Sequence, residues 1–404
     1  MNNDLQILKK LAEDYAAVAA DPVMDTRREL WRDLHEFKAA RPPIHVRQYA
    51  FNELPQSQCV CENPFFRELE FILRDRIYAA SLNDDTVFEP WISVRAVFED
   101  IDWGVNIQKH HTGDSGGAFK VDYAIKEIGD WSTVLRAPQH RIDETKTEER
   151  FERAQQAIGD LIGIDLNRAP YYNHWHGDLS SDLGLLRGME NFMMDMMEYP
   201  DELHSLMAFL RDGVLRVQQQ AEETGDWGAS ASLNQAVPYA RGLADPEANR
   251  PVKRRELWGF MAAQEFTMVS PDMHEEFLLQ YQIPILEKFG MTSYGCCEDL
   301  TRKIDILRKI PNLRRIAVTP FANVQRCAEQ IGADYVMSYR PSPADMVAYG
   351  YDEERIRRIL YRDLEFCKGC HLDLTLKDVE TVQKDPERIC RWVALTRSVL
   401  QEIY

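Results

Sequence analysis

From about residue 86 onwards, short apolar runs alternate with helical patterns, and this alternation limits the chain to an α/β fold. Helical periodicity fills most intervals between the candidate strands, and eight strand–helix units over about 300 residues are typical of a closed parallel (β/α)8 TIM barrel. The candidate strands lie near 91–97, 168–175, 226–234, 257–265, 289–296, 313–319, 334–340 and 371–376. A doubly wound open sheet is the main alternative, but no Gly-x-Gly-x-x-Gly turn of the dinucleotide-binding kind follows any strand.

The first part of the chain has a different pattern. Leu5, Leu8 and Leu11 form one helical stripe, and a second stripe runs through Leu30 and Leu34. Residues 1–85 therefore predict a helical N-terminal extension, and residues 86–404 predict the (β/α)8 barrel catalytic domain. Within the barrel, the Gly-rich segment 113–117 lacks the Lys-Ser/Thr of a phosphate loop and is interpreted as a loop that covers the site.

Charge excludes two classes of partner. The 404 residues carry a formal charge of −18, with a pI near 5.1, and phosphate backbones and anionic membrane surfaces both require a basic face. No apolar run approaches the ~20 residues that span a bilayer, and the N-terminus lacks a signal pattern. We therefore expect a cytoplasmic protein that binds neither nucleic acid nor membrane, with its eight cysteines reduced.

Thiols are concentrated at two places. Cys296, Cys297 and Glu298 arrive together after a candidate strand, and Cys367 and Cys370 precede another. Cys and carboxylate side chains are usual zinc ligands, whereas a free Cys is often only a small buried hydrophobic residue. The clustering favours metal or reactive-thiol chemistry.

In a TIM barrel the chemistry belongs at the carboxyl ends of the strands. His174 and His176 are two residues apart after the second candidate strand, so an extended backbone would point both to one face. The alternative is that one of them caps a helix and the other is packed in the core. Further polar residues stand at other strand ends, among them Gln264, Tyr339 and Arg340.

Several segments resemble the uroporphyrinogen decarboxylase superfamily. Its central segment is similar to Asp178–Glu190 and Met193–Glu202 of this chain. A branch found beside anaerobic demethylation systems is similar to four later stretches, namely Tyr294–Glu298, Ile310–Ile316, Tyr339–Pro343 and Gly369–Asp378. The resemblance covers about residues 85–404 and implies a (β/α)8 barrel, a fold shared by true decarboxylases and by zinc-dependent corrinoid methyltransferases.

The resemblance favours the methyltransferases. The decarboxylases carry an N-terminal Met-Arg-Gln-Ala-Gly-Arg-Tyr element, of which only Val46-Arg-Gln-Tyr49 remains here, without the second arginine. The methyltransferases carry His-x-Cys and a distant second Cys. The strand ends align Tyr294 with the His, Cys296 with the first Cys and Cys370 with the second, 74 residues later. Glu298 would replace the missing His as a ligand.

The resemblance thus implies a zinc-dependent methyltransferase, the first component of an anaerobic O-demethylase. Zn²⁺ would be held by Cys296, Glu298 and Cys370. A corrinoid protein would supply cob(I)alamin/methylcobalamin, and the substrate would be a small-molecule methyl donor with an aryl ether-like O-methyl group. His174, His176 and Glu298 are the catalytic candidates. The substrate-binding candidates are Trp175, Gln264, Tyr339 and Arg340.

Several alternatives stay open. Cys297 can replace Cys296 as a ligand if the backbone bulges after Gly295, and the metal set can instead be Asp299, Cys327 and Cys367. The reaction can also be methyl transfer from methylcorrinoid to a thiol.

Two further alternatives involve other functions. One is a metal-independent decarboxylase that grips carboxylates with Arg47, Arg95 or Arg340. The other is a non-catalytic partner-binding barrel. The oligomeric state is open, with a homodimer as one option.

Overall fold

Residues 2–111, 119–230 and 238–404 are described by a computed structural model of the chain. The Gly-rich segment 113–117 and residues 231–234 of one candidate strand lie outside these residues. Among the residues that are described, no helix is both long enough and apolar enough to cross a membrane.

The described residues form twelve strands, most of them short. In chain order they are β1 (Ile44–Gln48), β2 (Trp91–Arg95), β3 (Phe98–Glu99), β4 (Gln108–His111), β5 (Phe119–Asp122), β6 (Arg141–Ile142), β7 (Gly163–Asn167), β8 (Trp258–Met261), β9 (Met291–Tyr294), β10 (Leu313–Val318), β11 (Val336–Tyr339) and β12 (His371–Val379).

Helices fill most of the remaining chain. The α-helices in the described residues are α1 (Asn2–Ala19), α2 (Val23–His35), α3 (Pro64–Ser81), α4 (Trp131–Val134), α5 (Glu144–Ile158), α6 (Leu179–Leu186), α7 (Met189–Glu198), α8 (Pro200–Thr224), α9 (Pro271–His274), α10 (Gln280–Leu286), α11 (Ile304–Leu307), α12 (Val324–Ile331), α13 (Glu353–Phe366) and α14 (Arg388–Ile403). Short 3₁₀ and π segments join several of them, including the 3₁₀ turn His174–Gly177.

Six strands form one parallel sheet with the order β1-β12-β11-β10-β9-β8. A second parallel pair joins β2 to β7, and the antiparallel pairs β3–β6 and β4–β5 lie apart from both. The α/β class and the parallel pairing are confirmed. A closed eight-stranded ring is not, because strand pairing within the described residues leaves the six-stranded sheet and the β2–β7 pair separate.

Most of the expected strands are present, within a few residues of their predicted bounds. Two expectations were wrong. The strand expected at 168–175 is β7, which ends at Asn167, and residues 174–177 turn instead. The described part of 226–234 forms only an isolated bridge between Gly228 and Pro251.

The N-terminal segment supplies a strand to the main sheet. β1 lies within residues 1–85, and Ile44 and Val46 are paired with Leu374 and Leu376 of β12. The expected boundary at residue 85 therefore does not separate the helices of this segment from the sheet that carries the site.

The two faces of the main sheet differ in polarity. Leu372, Leu374 and Leu376 of β12 belong to the large apolar core shared with the surrounding helices. Side chains alternate along a strand, so Asp373 and Lys377 lie on the opposite face, which we call the inner face. The same alternation places Arg315 of β10 and Ser338 of β11 there. The buried side chains of this face are therefore polar and charged, whereas most fully buried residues of proteins are apolar.

Helix α2 closes the amino-terminal end of the inner face. Arg315 is fully buried and forms an ion pair with Asp373 across 2.9 Å. Its Nη1 lies 3.2 Å from Nε2 of His35, the last residue of α2, and its Nη2 donates to Ser338 Oγ across 3.2 Å. These contacts neutralise Arg315 and fix it to the N-terminal segment.

Candidate functional site

The turn after β9 carries the thiols to the carboxyl end of the main sheet. Gly295 has φ of 96°, in the left-handed region that glycine adopts without strain. A Cβ at this position would lie 2.6 Å from Leu300 Cδ1 and 3.0 Å from Ala317 Cβ. Glycine is thus required here for both backbone conformation and space, and the turn directs Cys296 and Cys297 toward the inner face.

Cys296, Cys297 and Lys377 form a compact cluster, which we call the thiol–lysine site. The two sulfur atoms are 3.6 Å apart. Lys377 of β12 donates from Nζ to Cys296 Sγ across 2.9 Å and to Cys297 Sγ across 3.4 Å. Asp378 completes the cluster, with Oδ2 2.9 Å from Lys377 Nζ and 3.7 Å from Cys297 Sγ.

The environment of the two thiols separates their acidities. Hydrogen bonding with Cys296 and the charge of Lys377 lower the pKa of Cys297 to about 7, against the opposing effect of burial. The pKa of Cys296 is raised by the hydrogen bond to Cys297 and by burial. Cys297 is half-buried whereas Cys296 is fully buried, so Cys297 is the accessible member of the pair and the one that is readily ionised.

Glu298 supports the turn from within the protein. It is 1% exposed, and its Oε1 accepts from the Ala263 amide and its Oε2 from the Cys296 amide, both across 2.8 Å. The carboxylate therefore ties the turn after β8 to the turn after β9. Because both oxygens already accept backbone hydrogen bonds, Glu298 positions the thiols.

Arg340 follows β11 and reaches the same turn from the other side. Its guanidinium is 1% exposed, and Nη1 donates to the carbonyl oxygens of Cys296, across 2.7 Å, and Gly295, across 3.4 Å. The expected placement of Arg340 at the site therefore agrees with these contacts, although its function stays a prediction.

The structure places Trp175 near the thiols and the two histidines in different surroundings. Trp175 shares an apolar cluster with Phe260, Cys296 and Cys297, with the Trp175 and Phe260 ring centroids 5.8 Å apart. His174 adopts φ of 49°, and burial lowers its pKa to about 4.

His176 is exposed, and its ring stacks on Tyr171 with centroids 4.3 Å apart. The histidines lie in a 3₁₀ turn, so the expectation that an extended strand points both to one face was wrong.

Gln264 and Tyr339 were expected to bind substrate. Gln264 begins a 3₁₀ turn after β8 and is half-buried. Tyr339 instead faces the helices, where its hydroxyl donates to Asp363 Oδ2 across 2.6 Å. Adjacent residues of a strand point to opposite faces, so Tyr339 and Arg340 do not both reach the inner face.

The expected zinc set is not brought together. Cys370 precedes β12 and its sulfur lies 3.6 Å from the Ala328 carbonyl, whereas Lys377, near the other end of β12, contacts Cys296. Seven residues of strand rise separate the two positions by roughly 20 Å. Tyr294, aligned with the family histidine, faces the helices and bonds to His274 and Gln282. Cys296, Glu298 and Cys370 therefore do not fit one zinc ion.

The other proposed metal set does not form a metal site within the described residues. Asp299 and Cys327 both contact Thr301, while the sulfur of Cys367 lies 3.9 Å from Met337 Sδ. Burial raises the pKa of Cys327 to about 11. Within the ranges that the structure describes, no group of three His, Cys, Asp or Glu side chains is arranged to hold a metal ion.

Sequence reasoning missed Lys377, the cation of the thiol–lysine site. The signal was present in the alternation of β12, since Asp373, Thr375 and Lys377 share one face of that strand.

Comparison with known proteins supports the fold. No family model matches the chain, and no curated protein matches it. Among solved structures, the chain is similar to a methyltransferase from Methanosarcina mazei, with 12% sequence identity and a TM-score of 0.51. The match covers 93% of this chain and 98% of that one. At this identity the likeness shows a shared fold over nearly the whole chain.

Proposed function

We propose that this chain is a methyltransferase that moves a methyl group from a small O-methylated donor to the cobalt of a corrinoid carried by a partner protein. The observation that carries this proposal is the thiol–lysine site at the carboxyl ends of β9 and β12, with Trp175 packed against it. The fold shared with a methyltransferase is consistent with the proposal. O-demethylation and the corrinoid partner rest on the sequence resemblance described above.

Lys377 is the residue suited to assist the leaving group. When the O–CH₃ bond breaks, its electron pair goes to the oxygen, which must take up a proton to leave as an alcohol or phenol. The Lys377 ammonium can donate that proton. Burial and Arg340 lower the pKa of Lys377, but Cys296 and Asp378 outweigh them and raise it, so the side chain stays protonated. A reduced corrinoid, when bound, supplies the nucleophile that accepts the methyl group.

Trp175 and Phe260 would hold the substrate. Their rings form an apolar wall beside Cys296 and Cys297, against which a methoxyaryl ring can pack, and the Lys377 ammonium at the same sulfurs disfavours a charged alkylamine. His174, with its low pKa, stays neutral near pH 7 and can accept or donate a hydrogen bond without charge.

Zinc remains a prediction with a narrower basis. The thiol pair offers two ligands for zinc, and the other two predicted donors, Glu298 and Cys370, are engaged elsewhere. No step of the mechanism above is assigned to zinc.

The test is an anaerobic assay with free cob(I)alamin and a panel of methoxybenzoates and methoxyphenols, followed by the absorbance of methylcobalamin. We expect Lys377→Met to lower the rate by about 100-fold or more, as for the loss of a general acid. The matched control is Lys368→Met, beside the other cysteine pair, which should change the rate less than twofold. Equal rates in Lys377→Met and wild type would contradict the proposed role.

A decarboxylase is the second candidate, because two of the buried cations of the inner face, Arg340 and Lys377, lie beside the thiols, where they can hold substrate carboxylates. It predicts release of CO₂ from an acidic substrate without corrinoid. The same substrate panel, assayed for CO₂ in the absence of corrinoid, distinguishes the two reactions.

A further inference from the structure

Arg340 is held by one of its three nitrogens. Nη1 donates to the Cys296 and Gly295 carbonyl oxygens, which fixes the plane of the guanidinium beneath the thiol turn. Nε and Nη2 are buried and have no hydrogen-bond partner among the described residues. These two nitrogens form one edge of the guanidinium, and that edge is the fork that receives a carboxylate through two parallel hydrogen bonds.

The neighbouring charges leave Arg340 uncompensated. Arg315, the next buried arginine of the inner face, has Asp373 at 2.9 Å, and Lys377 has Asp378 at 2.9 Å. In the part of the chain that the structure describes, no carboxylate lies within ion-pair distance of Arg340. Arg340 adds to the positive charge around Lys377 and His45, since it lowers the pKa of both.

A buried guanidinium with an unpaired edge is costly unless something binds there, because buried N–H donors are nearly always paired. We infer that the Nε–Nη2 edge of Arg340 binds a carboxylate of the substrate, so the methyl donor is a methoxy-substituted carboxylic acid. The naming of the ligand as methyl donor rests on the proposed function, whereas the carboxylate site rests on the geometry of Arg340 alone.

Position gives this carboxylate a role in orientation. The Arg340 guanidinium touches the Cys296 carbonyl, and the Cys296 sulfur touches Lys377. A carboxylate bound to the free edge would therefore anchor the ligand within reach of the thiol–lysine site. Trp175 and Phe260 lie beside the same sulfur and would contact the ring of an aromatic acid.

The test is calorimetric titration of the full-length protein with benzoate, with benzamide as the uncharged analogue of similar shape and inorganic phosphate as a second oxoanion. We expect benzoate to bind the wild type and benzamide to bind at least about tenfold more weakly, since charge-assisted bonds are about twice as strong as neutral ones. Arg340→Gln should weaken benzoate binding at least about tenfold. Arg340→Lys keeps the charge but cannot form two parallel hydrogen bonds, so its affinity for benzoate should lie between those of the wild type and Arg340→Gln.

Arg254 provides the matched control. Like Arg340, it is buried and has a nitrogen, Nη1, without a hydrogen-bond partner among the described residues. Arg254 precedes β8, at the amino end of the sheet, and forms an ion pair with Glu222. Arg254→Gln should leave benzoate binding unchanged. Benzoate that binds Arg340→Gln as tightly as wild type would overturn the inference, as would a wild type that binds neither benzoate nor phosphate. Binding of phosphate in preference to benzoate would overturn the assignment to a carboxylate.

A second measurement uses the wild-type protein alone, so it does not depend on whether a variant folds. Benzoate should slow alkylation of Cys297 by iodoacetamide in the wild type, because the anion lies beside the thiol turn, and benzamide should not. Equal rates with and without benzoate would contradict the placement. Arg340-dependent binding in a protein that transfers no methyl group would leave the carboxylate site intact and reject only the proposed reaction.

Discussion

Two of the cysteine pairs of this chain, Cys296 with Cys297 and Cys367 with Cys370, both lie beside strands of the main sheet but differ in almost every physical respect. Cys296 and Cys297 follow β9 at the carboxyl end of the sheet, where Lys377 contacts both sulfurs. Cys367 and Cys370 precede β12 at the amino end, where their sulfurs lie against Met337 and the Ala328 carbonyl. Burial raises the pKa of both members of the second pair, while Cys297 ionises near pH 7.

The difference shows that the end of the parallel strand at which a thiol lies governs whether it can take part in chemistry. In a parallel sheet the loops at the carboxyl ends carry the functional groups, and those at the amino ends serve stability. Within the described ranges, the sulfurs of Cys367 and Cys370 make no contact with a cation. We therefore expect reactivity at Cys297 and a packing role at Cys367 and Cys370.

The largest effect should come from Glu298, which supports only the first pair. Glu298→Gln keeps one acceptor oxygen and turns an NH₂ group toward a buried backbone amide, which is then unsatisfied. We expect a loss of about 2–3 kcal/mol in the free energy of unfolding, measured by urea denaturation. Cys370→Ala, at the second pair, should cost less than about 1 kcal/mol. Equal losses in the two variants would show that Glu298 is not holding the turn.

Removing the cation should make the two pairs behave alike. At pH 6, Lys377→Met should slow alkylation of Cys297 by iodoacetamide about tenfold, because a rise of one unit in the pKa leaves about one-tenth of the thiolate. Lys368→Met, between Cys367 and Cys370, is the control and should leave the rate at Cys297 unchanged. Peptide mass spectrometry assigns each rate to its cysteine.

The pH profile of the wild type provides a smaller contrast. The thiolate fraction rises with pH through the pKa, so alkylation of Cys297 should reach half its maximum near pH 7 and level off by about pH 8. Cys370 has its pKa raised above 9.0, so its slower reaction should still be increasing at pH 9. Parallel profiles for the two cysteines would contradict the assignment of Lys377 to the first pair.

The smallest expected effect concerns metal content. Cys370 lies at the wrong end of β12 to share a metal with Cys296, so Cys370→Ala should leave the zinc content of the purified protein unchanged within error. Elemental analysis of protein prepared without a metal-affinity tag makes the comparison. If Cys370→Ala lost zinc that the wild type holds, the result would support the predicted zinc ligands Cys296, Glu298 and Cys370.

Much of the fold was predictable from the sequence because it depends on local periodicity. The alternation of apolar and polar residues located the sheet strands from β8 to β12 to within a few residues, and the Gly295 turn marked the site. The pairing of β1 with β12 was not predictable, because it joins opposite ends of the chain and has no local signal.

The site was predictable only where a reactive or polar residue stands at the carboxyl end of a predicted strand. Trp175 packs in the same apolar cluster as Cys296, and Arg340 donates to the Cys296 carbonyl, while the roles predicted for these residues stay predictions. Cys370 was misplaced because the motif alignment grouped it with residues at the carboxyl ends of the strands, whereas it precedes β12 and lies at the amino end of the sheet. The role of Glu298 was hidden because its partners are backbone amides, which every residue except proline carries.

The pairing of β1 with β12 has a consequence for how the protein becomes active. Lys377 lies near the carboxyl end of β12, so the thiols lack their cation until β12 has been synthesised and has inserted between β1 and β11. Contacts between such distant segments are late and slow events in folding. The thiols of the nascent chain therefore have the ordinary pKa of a free Cys, and the lowered pKa of Cys297 is acquired only when β12 has paired.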